Sequence, residues 1–311
     1  MSIEECIEFK NSEELVLRGI LHNPNKHNIN NITLICLNTG LNDMIGWHRI
    51  QIKVSRFLSE KGYRVLRFDD SGIGDSDGDI LTESIVEVFS DIESGLFVDN
   101  ALSAVNYIKE KFNNDTIIFL GFCGGGLTAI HASSVDDRIA GIIDIGGPIT
   151  LSSKDYLQKV DPWEVKKNID NYKSKIFRLR PWINLFTNKG DFKTVFKSLI
   201  FYVKHKIVGE YNESDTAEEK NVTVNINHKA FANFETYAKS KRPLLFFYAE
   251  IDSATWEFKK HFLSKYQKSE LWSDKLHIFI EAEKANHILS SSDSQEKLKT
   301  DILSWLQTNF D

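Results

Sequence analysis

The chain has 311 residues, a formal net charge of −6 and 41% hydrophobic residues, a composition typical of a soluble globular protein and not of a nucleic-acid-binding protein. No apolar run approaches the ~18 residues of a membrane helix, and the acidic N-terminus does not resemble a signal peptide. The three cysteines are widely separated, which argues against a disulfide framework and predicts a cytoplasmic protein. The sequence has no CxxC or HExxH motif, so we expect no metal site, and we expect no cofactor.

The first 148 residues alternate short β-rich runs with helical patterns. Two strands joined by a turn come first, and buried strands follow at NITLICLNTG, YRVLRFDDSG, DTIIFLGFCGGG and IAGIIDIGGP. Helical patterns lie between them over residues 47–61 and 90–112 and at GLTAIHASSV. This alternation predicts a mostly parallel central sheet flanked by helices. The turns that follow the strands lie at the edge where open sheets of this kind bind ligands.

The pattern changes over residues 149–241, which are aromatic, basic and helical without a convincing strand. The alternation then resumes with a strand at RPLLFFYAEID, a helix over 256–266, a strand at LHIFIEA and a closing helix over 294–308. An interruption between two parts of one sheet indicates an insertion. We therefore predict an α/β core formed by residues 1–148 and 242–311, with residues 149–241 as an inserted helical cap.

The stretch GFCGG, residues 121–125, has the small-x-nucleophile-x-small form of a nucleophile elbow. In this device a strand turns sharply into a helix, and the crowded backbones require small residues two before and two after the nucleophile. The N-terminus of the following helix favours the thiolate form of a cysteine. Cys123 could instead be a small packing residue. Because glycine or alanine would serve that purpose equally well, we interpret Cys123 as the nucleophile.

A nucleophile needs a base and an acid that orients the base. In α/β-hydrolases the chain order is nucleophile, acid, histidine. After Cys123, the stretch FYAEID presents Asp252 just past the end of a strand, and EKANHILSS presents His287 just past the next strand. Both residues are therefore expected at the sheet edge where the elbow lies. A histidine in such a loop can also be merely solvated, but this order favours the catalytic interpretation.

Three other residues are weaker candidates for these roles. Glu250 is the alternative acid, but it is expected still inside its strand. His131 lies a turn or two down the helix after the elbow, and His277 lies within a strand, so both are expected to be poorer bases than His287.

The oxyanion of the transition state needs hydrogen-bond donors. One is expected from the backbone N–H of Gly124, directly after the nucleophile. The second candidate is the N–H of Leu41, in the loop after TLICLN, where Gly40 permits a close approach. An ordinary strand-ending turn is the alternative interpretation of this loop. The Asp- and Gly-rich loop over residues 69–78 fits neither a phosphate-binding nor a calcium-binding pattern, and we interpret it as a structural turn.

Together these residues resemble the α/β-hydrolase superfamily. The resemblance covers nearly the whole chain and rests on NTG after the third strand, the FDDSGIGDSDG loop, the GFCGG elbow and the Asp252/His287 pair. The chain is similar in particular to the cysteine-bearing hydrolases associated with exosortase gene clusters, and GFCGG locally resembles dienelactone hydrolases. The resemblance implies an α/β-hydrolase fold with Cys123 as nucleophile, Asp252 as acid and His287 as base. Ser71 replaces the usual arginine of the loop, and NTG replaces the usual His-Gly.

Cysteine in place of serine narrows the expected chemistry. An acyl-cysteine is a thioester, which forms from another thioester at little thermodynamic cost and readily passes its acyl group to a second nucleophile. The sequence therefore predicts an enzyme that acts on acyl thioesters or esters, as a thioesterase or acyltransferase. A small-ester or lactone hydrolase of the dienelactone kind is the first alternative. A non-catalytic ligand-binding member of the fold is the second.

The predicted cap contains a basic stretch, residues 172–208, with nine Lys and Arg residues and a single acidic residue, Asp191. A solvated cap face explains its aromatic residues but not its charge. We therefore expect an anionic partner, which would be an acidic acyl carrier protein, coenzyme A or an anionic membrane surface. The first two agree better with a cysteine nucleophile.

Overall fold

The computed structural model describes residues 3–24, 31–80, 84–152 and 225–310. These residues form an eight-stranded sheet. In chain order its strands are β1 (Ile3–Lys10), β2 (Val16–Asn23), β3 (Ile32–Leu37), β4 (Arg64–Phe68), β5 (Thr116–Phe122), β6 (Ile139–Ile145), β7 (Leu244–Ile251) and β8 (His277–Asn286). Their spatial order is β1-β2-β4-β3-β5-β6-β7-β8, with β2 antiparallel to both β1 and β4 and all other neighbours parallel.

The predicted mostly parallel sheet flanked by helices is confirmed. Strands β3 and β4 are buried at every residue, and β5 and β6 at nearly every residue, because helices cover both faces of the sheet there. Strand β1 is the edge strand and exposes most of its residues. The continuous apolar runs of the central strands therefore follow from their burial on two sides.

The helices form one layer on each side of the sheet. They are α1 (Ile50–Glu60), α2 (Ile85–Glu93), α3 (Val98–Lys111), α4 (Gly124–Ser133), α5 (His228–Lys239), α6 (Ser253–Glu257) and α7 (Ser292–Phe310). Helix α6 continues as a π-helical turn, Phe258–Leu263. Helices α1 and α7 contribute to one hydrophobic cluster, and α3, α4, α5 and the π-helical turn contribute to the other. None of the helices in the described ranges is both long and apolar enough to cross a membrane.

The prediction of one continuous helix over residues 90–112 was wrong, because two separate helices cover this range. Helix α2 ends before Gly95, whose φ of 104° lies in the region that favours glycine and cannot continue a helix. Helix α3 then begins at Val98. The amphipathic pattern predicted helical residues correctly, but the break depends on the backbone angle of one glycine.

The end of the predicted insertion packs with the core. Residues Thr150 and Ile226 form an antiparallel bridge, and helix α5 buries Phe234 and Tyr237 in the same hydrophobic cluster as the sheet. The chain divides into two units, Met1–Leu157 with Asn225–Asp311, and Gln158–Val224. The remainder of the predicted cap, including its basic stretch, lies outside the described residues.

Candidate active site

Cys123 stands at the junction of β5 and α4 with φ 51° and ψ −117°, a conformation that is strained for a residue with a side chain. The neighbouring glycines make the turn possible. A Cβ on Gly121 would overlap the carbonyl oxygen of Gly125, and a Cβ on Gly125 would lie 2.6 Å from the carbonyl oxygen of Asn38. Cys123 itself is partly exposed. The two small residues flanking the elbow thus have a direct steric cause.

Backbone hydrogen bonds fix the strained residue in place. The Cys123 N–H donates to the carbonyl oxygen of Ile145, at the end of β6, over 2.8 Å. The Cys123 carbonyl oxygen accepts from the Gly126 N–H, in the first turn of α4, over 2.9 Å. The position of the Cys123 side chain therefore depends on the end of the neighbouring strand β6.

Asp252 and His287 meet at the same edge of the sheet. Asp252 directly follows β7, is 7% exposed, and caps α6 by accepting the Ala254 N–H at Oδ1 over 3.1 Å. His287 directly follows β8, and its Nδ1 lies 2.7 Å from Asp252 Oδ2. The Trp47 ring packs against the imidazole in an edge-to-face arrangement, with the two centroids 5.2 Å apart. With Nδ1 engaged by the carboxylate, Nε2 is left to face a reacting group.

The electrostatic environment of His287 favours the imidazolium form. Burial acts to lower its pKa, but the hydrogen bonds with Asp252 and Cys123 outweigh burial and raise the pKa to about 10. The contribution of Cys123 to this pKa indicates that the thiol lies close to the imidazole. An imidazolium in this position stabilises a thiolate, which is the nucleophilic form of cysteine.

The candidate oxyanion donors are Gly124, at the start of α4, and Leu41, in the loop after β3. The Cβ position of Gly124 is 3.5 Å from the backbone nitrogen of Gly40, so the loop after β3 adjoins the start of α4. The Gly40 N–H donates to the Asn38 carbonyl oxygen over 3.1 Å. Within the described part of the chain, the N–H groups of Leu41 and Gly124 donate to no protein acceptor. Backbone amides without a protein acceptor are the donors that an oxyanion hole requires.

Helix α2 packs over the loop after β3 and the start of α4. The sequence did not indicate this contact. The Phe89 ring lies 2.9 Å from the Cβ position of Gly40, and an Ile92 methyl group lies 2.9 Å from that of Gly124. Leu41 packs against a small cluster that includes Ile92. The wall beside the candidate oxyanion site is therefore apolar.

The alternative candidates are engaged elsewhere. Glu250 lies within β7 and accepts the Lys284 N–H over 2.7 Å. His131 is buried between the Glu93 carbonyl oxygen and the Asn233 side chain, and burial lowers its pKa. His277 lies in β8, where burial lowers its pKa to about 4.

The Asp- and Gly-rich loop uses its carboxylates for its own backbone and its neighbours. Asp69 accepts the N–H groups of Met44 and Asp75, over 2.6 Å and 3.2 Å, and the buried Asp70 accepts from the Asn100 side chain over 3.2 Å. Among the described residues, no group of three or more His, Cys, Asp or Glu side chains could hold a metal ion. These contacts agree with the interpretation of a structural turn.

One polar pair behind the elbow was not predicted. Asp144 lies in β6 and Tyr248 in β7, both 1% exposed, and the Tyr248 hydroxyl oxygen lies 3.0 Å from Asp144 Oδ2. The sequence feature that could have indicated this pair is the single aspartate, Asp144, inside the apolar run IAGIIDIGG.

The fold and the elbow define an α/β hydrolase. The family model for the alpha/beta hydrolase fold matches residues 33–255, and this chain belongs to that family. No curated protein matches the sequence.

Solved structures with similar folds have little sequence identity with this chain. An esterase of Pyrococcus furiosus has a TM-score of 0.59 at 17% identity, covering 100% of this chain and 94% of its own. An alpha/beta hydrolase of Penicillium has a TM-score of 0.59 at 16% identity, covering 99% of both chains. A dienelactone hydrolase of Anabaena variabilis has a TM-score of 0.57 at 12% identity, covering 100% of this chain and 99% of its own. At these identities the similarity concerns the fold.

Proposed function

We propose that this protein is an enzyme that cleaves acyl thioesters or esters through a covalent acyl-cysteine intermediate on Cys123. The observation that carries the proposal is the contact between the Asp252 carboxylate and His287 Nδ1, over 2.7 Å, together with the interaction with Cys123 at the elbow that helps to raise the pKa of His287. In this proposal Asp252 orients the base, and the amides of Leu41 and Gly124 bind the oxyanion.

The reaction begins from the thiolate–imidazolium pair. The Cys123 sulfur attacks the carbonyl carbon of the substrate, and the carbonyl electron pair moves onto an oxygen held by the Leu41 and Gly124 N–H groups. As the tetrahedral intermediate collapses, His287 donates its proton to the leaving thiol or alcohol. An incoming water or second nucleophile then gives a proton to neutral His287 and attacks the acyl-cysteine, which releases the acyl product and restores the ion pair.

Thioesters are the favoured substrates within this class because the nucleophile is sulfur. Exchange of one thioester for another is close to thermoneutral, whereas forming a thioester from an oxygen ester is uphill. The basic stretch at 172–208 supports an anionic carrier of the acyl group, either coenzyme A or an acidic acyl carrier protein. The expected cytoplasmic location agrees with this nucleophile, because a reducing compartment keeps free thiols from forming disulfides. We also propose that the protein is related to the exosortase-associated cysteine hydrolases, whose resemblance to this sequence implies Cys123 as the nucleophile.

A hydrolase of small esters or lactones is the second candidate. Two observations favour it: the GFCGG elbow, and the fold shared with the dienelactone hydrolase of Anabaena variabilis. In this alternative the same residues act, but the substrate is an oxygen ester and water is the acceptor.

Intact-mass measurement with a panel of acyl donors tests the proposal. The protein is exposed separately to an acyl-coenzyme A, an acyl carrier protein and a p-nitrophenyl ester. We expect a covalent adduct with the thioesters that is lost in Cys123→Ala and kept in Cys6→Ala, the matched change at an exposed cysteine. An adduct with the oxygen ester alone selects the second candidate. No adduct and no turnover with any donor overturns both.

The role of the basic stretch is tested separately. Replacing Lys193 and Lys197 with glutamate should weaken acylation by the carrier-bound donor and leave acylation by the p-nitrophenyl ester unchanged. If the rate with the carrier-bound donor does not respond to these replacements or to salt, the anionic carrier is excluded.

A further inference from the structure

Asp144 and Tyr248 lie buried directly behind the elbow. Asp144 Oδ1 accepts the Gly147 N–H over 3.0 Å, and a Cβ on Gly126 would overlap this oxygen, so the carboxyl group packs against the first turn of α4. The Tyr248 hydroxyl oxygen lies 3.0 Å from Asp144 Oδ2 and 2.7 Å from the carbonyl oxygen of Gly147. The mechanism above uses neither side chain.

The protons available at this group decide its ionisation state. A phenol has one proton, yet the Tyr248 oxygen is within hydrogen-bond distance of two oxygens. If Asp144 is ionised, one of these close oxygen–oxygen contacts has no proton. If Asp144 is protonated at Oδ2, it donates to Tyr248, Tyr248 donates to the Gly147 carbonyl, and the Gly147 N–H donates to Oδ1. Every group is then satisfied. Burial agrees with this state, since it raises the pKa of Asp144 to about 7.

This closed ring of hydrogen bonds fixes the turn at Gly146 and Gly147. The Gly146 N–H donates to the Phe247 carbonyl oxygen over 3.0 Å. The Cβ position of Gly146 lies 3.6 Å from the His287 imidazole and 3.9 Å from Asp252 Oδ2, so the turn is the surface on which the catalytic pair rests. The preceding residue, Ile145, accepts the Cys123 N–H.

We propose that Asp144 and Tyr248 are positioning residues, a neutral carboxylic acid and a phenol that hold the 146–147 turn so that His287 and Asp252 stay aligned with Cys123. The proposal rests on the proposed function, because the alignment matters only if these three residues react. The titratable groups near Asp144 and Tyr248 are Cys123, which precedes α4, and Asp252 and His287, which lie on the other side of the 146–147 turn. Burial raises the pKa of Tyr248, and the charges of Asp252 and Cys123 raise it further. The first turn of α4 itself begins with three glycines and adds none.

Two variants separate the neutral acid from an ionised one. In Asp144→Asn the amide nitrogen can donate to Tyr248 while the amide oxygen still accepts from Gly147, which reproduces the protonated acid. We expect this variant to be acylated at close to the wild-type rate at pH 6. Above pH 7 the wild-type rate should fall relative to that of the variant, because only the wild type can lose the proton. Tyr248→Phe removes the middle of the ring and should slow acylation about tenfold or more at every pH.

Tyr237→Phe is the matched control. Tyr237 is also buried and also donates one hydrogen bond to a backbone carbonyl, that of Pro243, but it lies in α5 away from Cys123. The Tyr237→Phe variant should have a lower free energy of unfolding than the wild type but the same rate of acylation. Circular dichroism and melting temperatures identify any variant that fails to fold, and Asp144→Asn, which keeps the shape of the ring, still tests the proposal in that case.

The measurement is the rate of acylation of Cys123 by an acyl thioester, followed by mass spectrometry from pH 5.5 to 9. If the wild type is not acylated, the proposed function fails. If the wild type is acylated and folded Tyr248→Phe reacts at the same rate, only the positioning role fails. The role of the neutral acid is overturned if Asp144→Asn is slow at pH 6 or keeps the pH dependence of the wild type.

Discussion

Replacing Asp144 with asparagine should stabilise the protein increasingly as the pH rises. The Asp144 side chain is 1% exposed, and burial raises its pKa from 3.8 to about 7, outweighing the opposite effect of its hydrogen bonding with Tyr248 and Gly147. Between these two values the folded chain holds a proton that the unfolded chain has released. The wild-type free energy of unfolding must therefore fall as the pH rises through this window, whereas the asparagine variant has no such proton to lose.

The magnitude follows from the width of the window. About 3 pH units at about 1.36 kcal/mol per unit give an upper value of about 4 kcal/mol. Roughly 2.6 kcal/mol of this difference should develop between pH 5 and pH 8, because the unfolded side chain is already largely ionised at pH 5. This figure is a difference between differences, so the effect of the substitution itself and the titration of all other groups cancel.

Urea unfolding followed by tryptophan fluorescence, at pH 5 and pH 8 for both proteins, measures this quantity. Asp137→Asn is the control, since the Asp137 side chain is 96% exposed and should show no comparable gain. A difference between variant and wild type that does not change with pH, or that shrinks as the pH rises, would refute the assignment of a protonated Asp144.

Three further substitutions test the site and the elbow. His287→Gln should slow alkylation of Cys123 by iodoacetamide at pH 7 by about tenfold or more, because no imidazolium then stabilises the thiolate. Peptide mass mapping measures the alkylation rate, and an unchanged rate would contradict the proposed ion pair of Cys123 and His287. Asp252→Asn should slow acylation by about 100-fold or more in a single-turnover assay, while retention of the wild-type rate would exclude it as the orienting acid. Gly125→Ala should lower the free energy of unfolding by about 2 kcal/mol or more, because its Cβ would lie 2.6 Å from the Asn38 carbonyl oxygen; wild-type stability would disprove this crowding.

The sharp turn at Cys123 and the contact between Asp252 and His287 could be predicted because their causes are local. The spacing of Gly121, Cys123 and Gly125 reflects backbone crowding within five residues. Asp252 and His287 each follow a strand, and the ends of neighbouring parallel strands meet at one edge of a sheet.

The features that the sequence did not reveal depend on packing and register. Asp144 lies opposite Phe246, and Tyr248, two residues further along β7, points to the same face of the sheet. Neither strand alone shows that these two side chains meet. Helix α5 was assigned to the inserted cap by its composition, but Phe234 is fully buried against the core. An aromatic helix has the same sequence pattern in either place.

The most direct measurement of the central claim is the location of the acyl group in a single turnover. The protein is mixed with an acyl thioester, quenched with acid within the first turnover, digested and mapped by mass spectrometry. We predict that the acyl mass lies on the peptide containing Cys123, is released by hydroxylamine, and is absent in Cys123→Ala. An acyl group on any other residue, or full turnover by Cys123→Ala, would contradict the account.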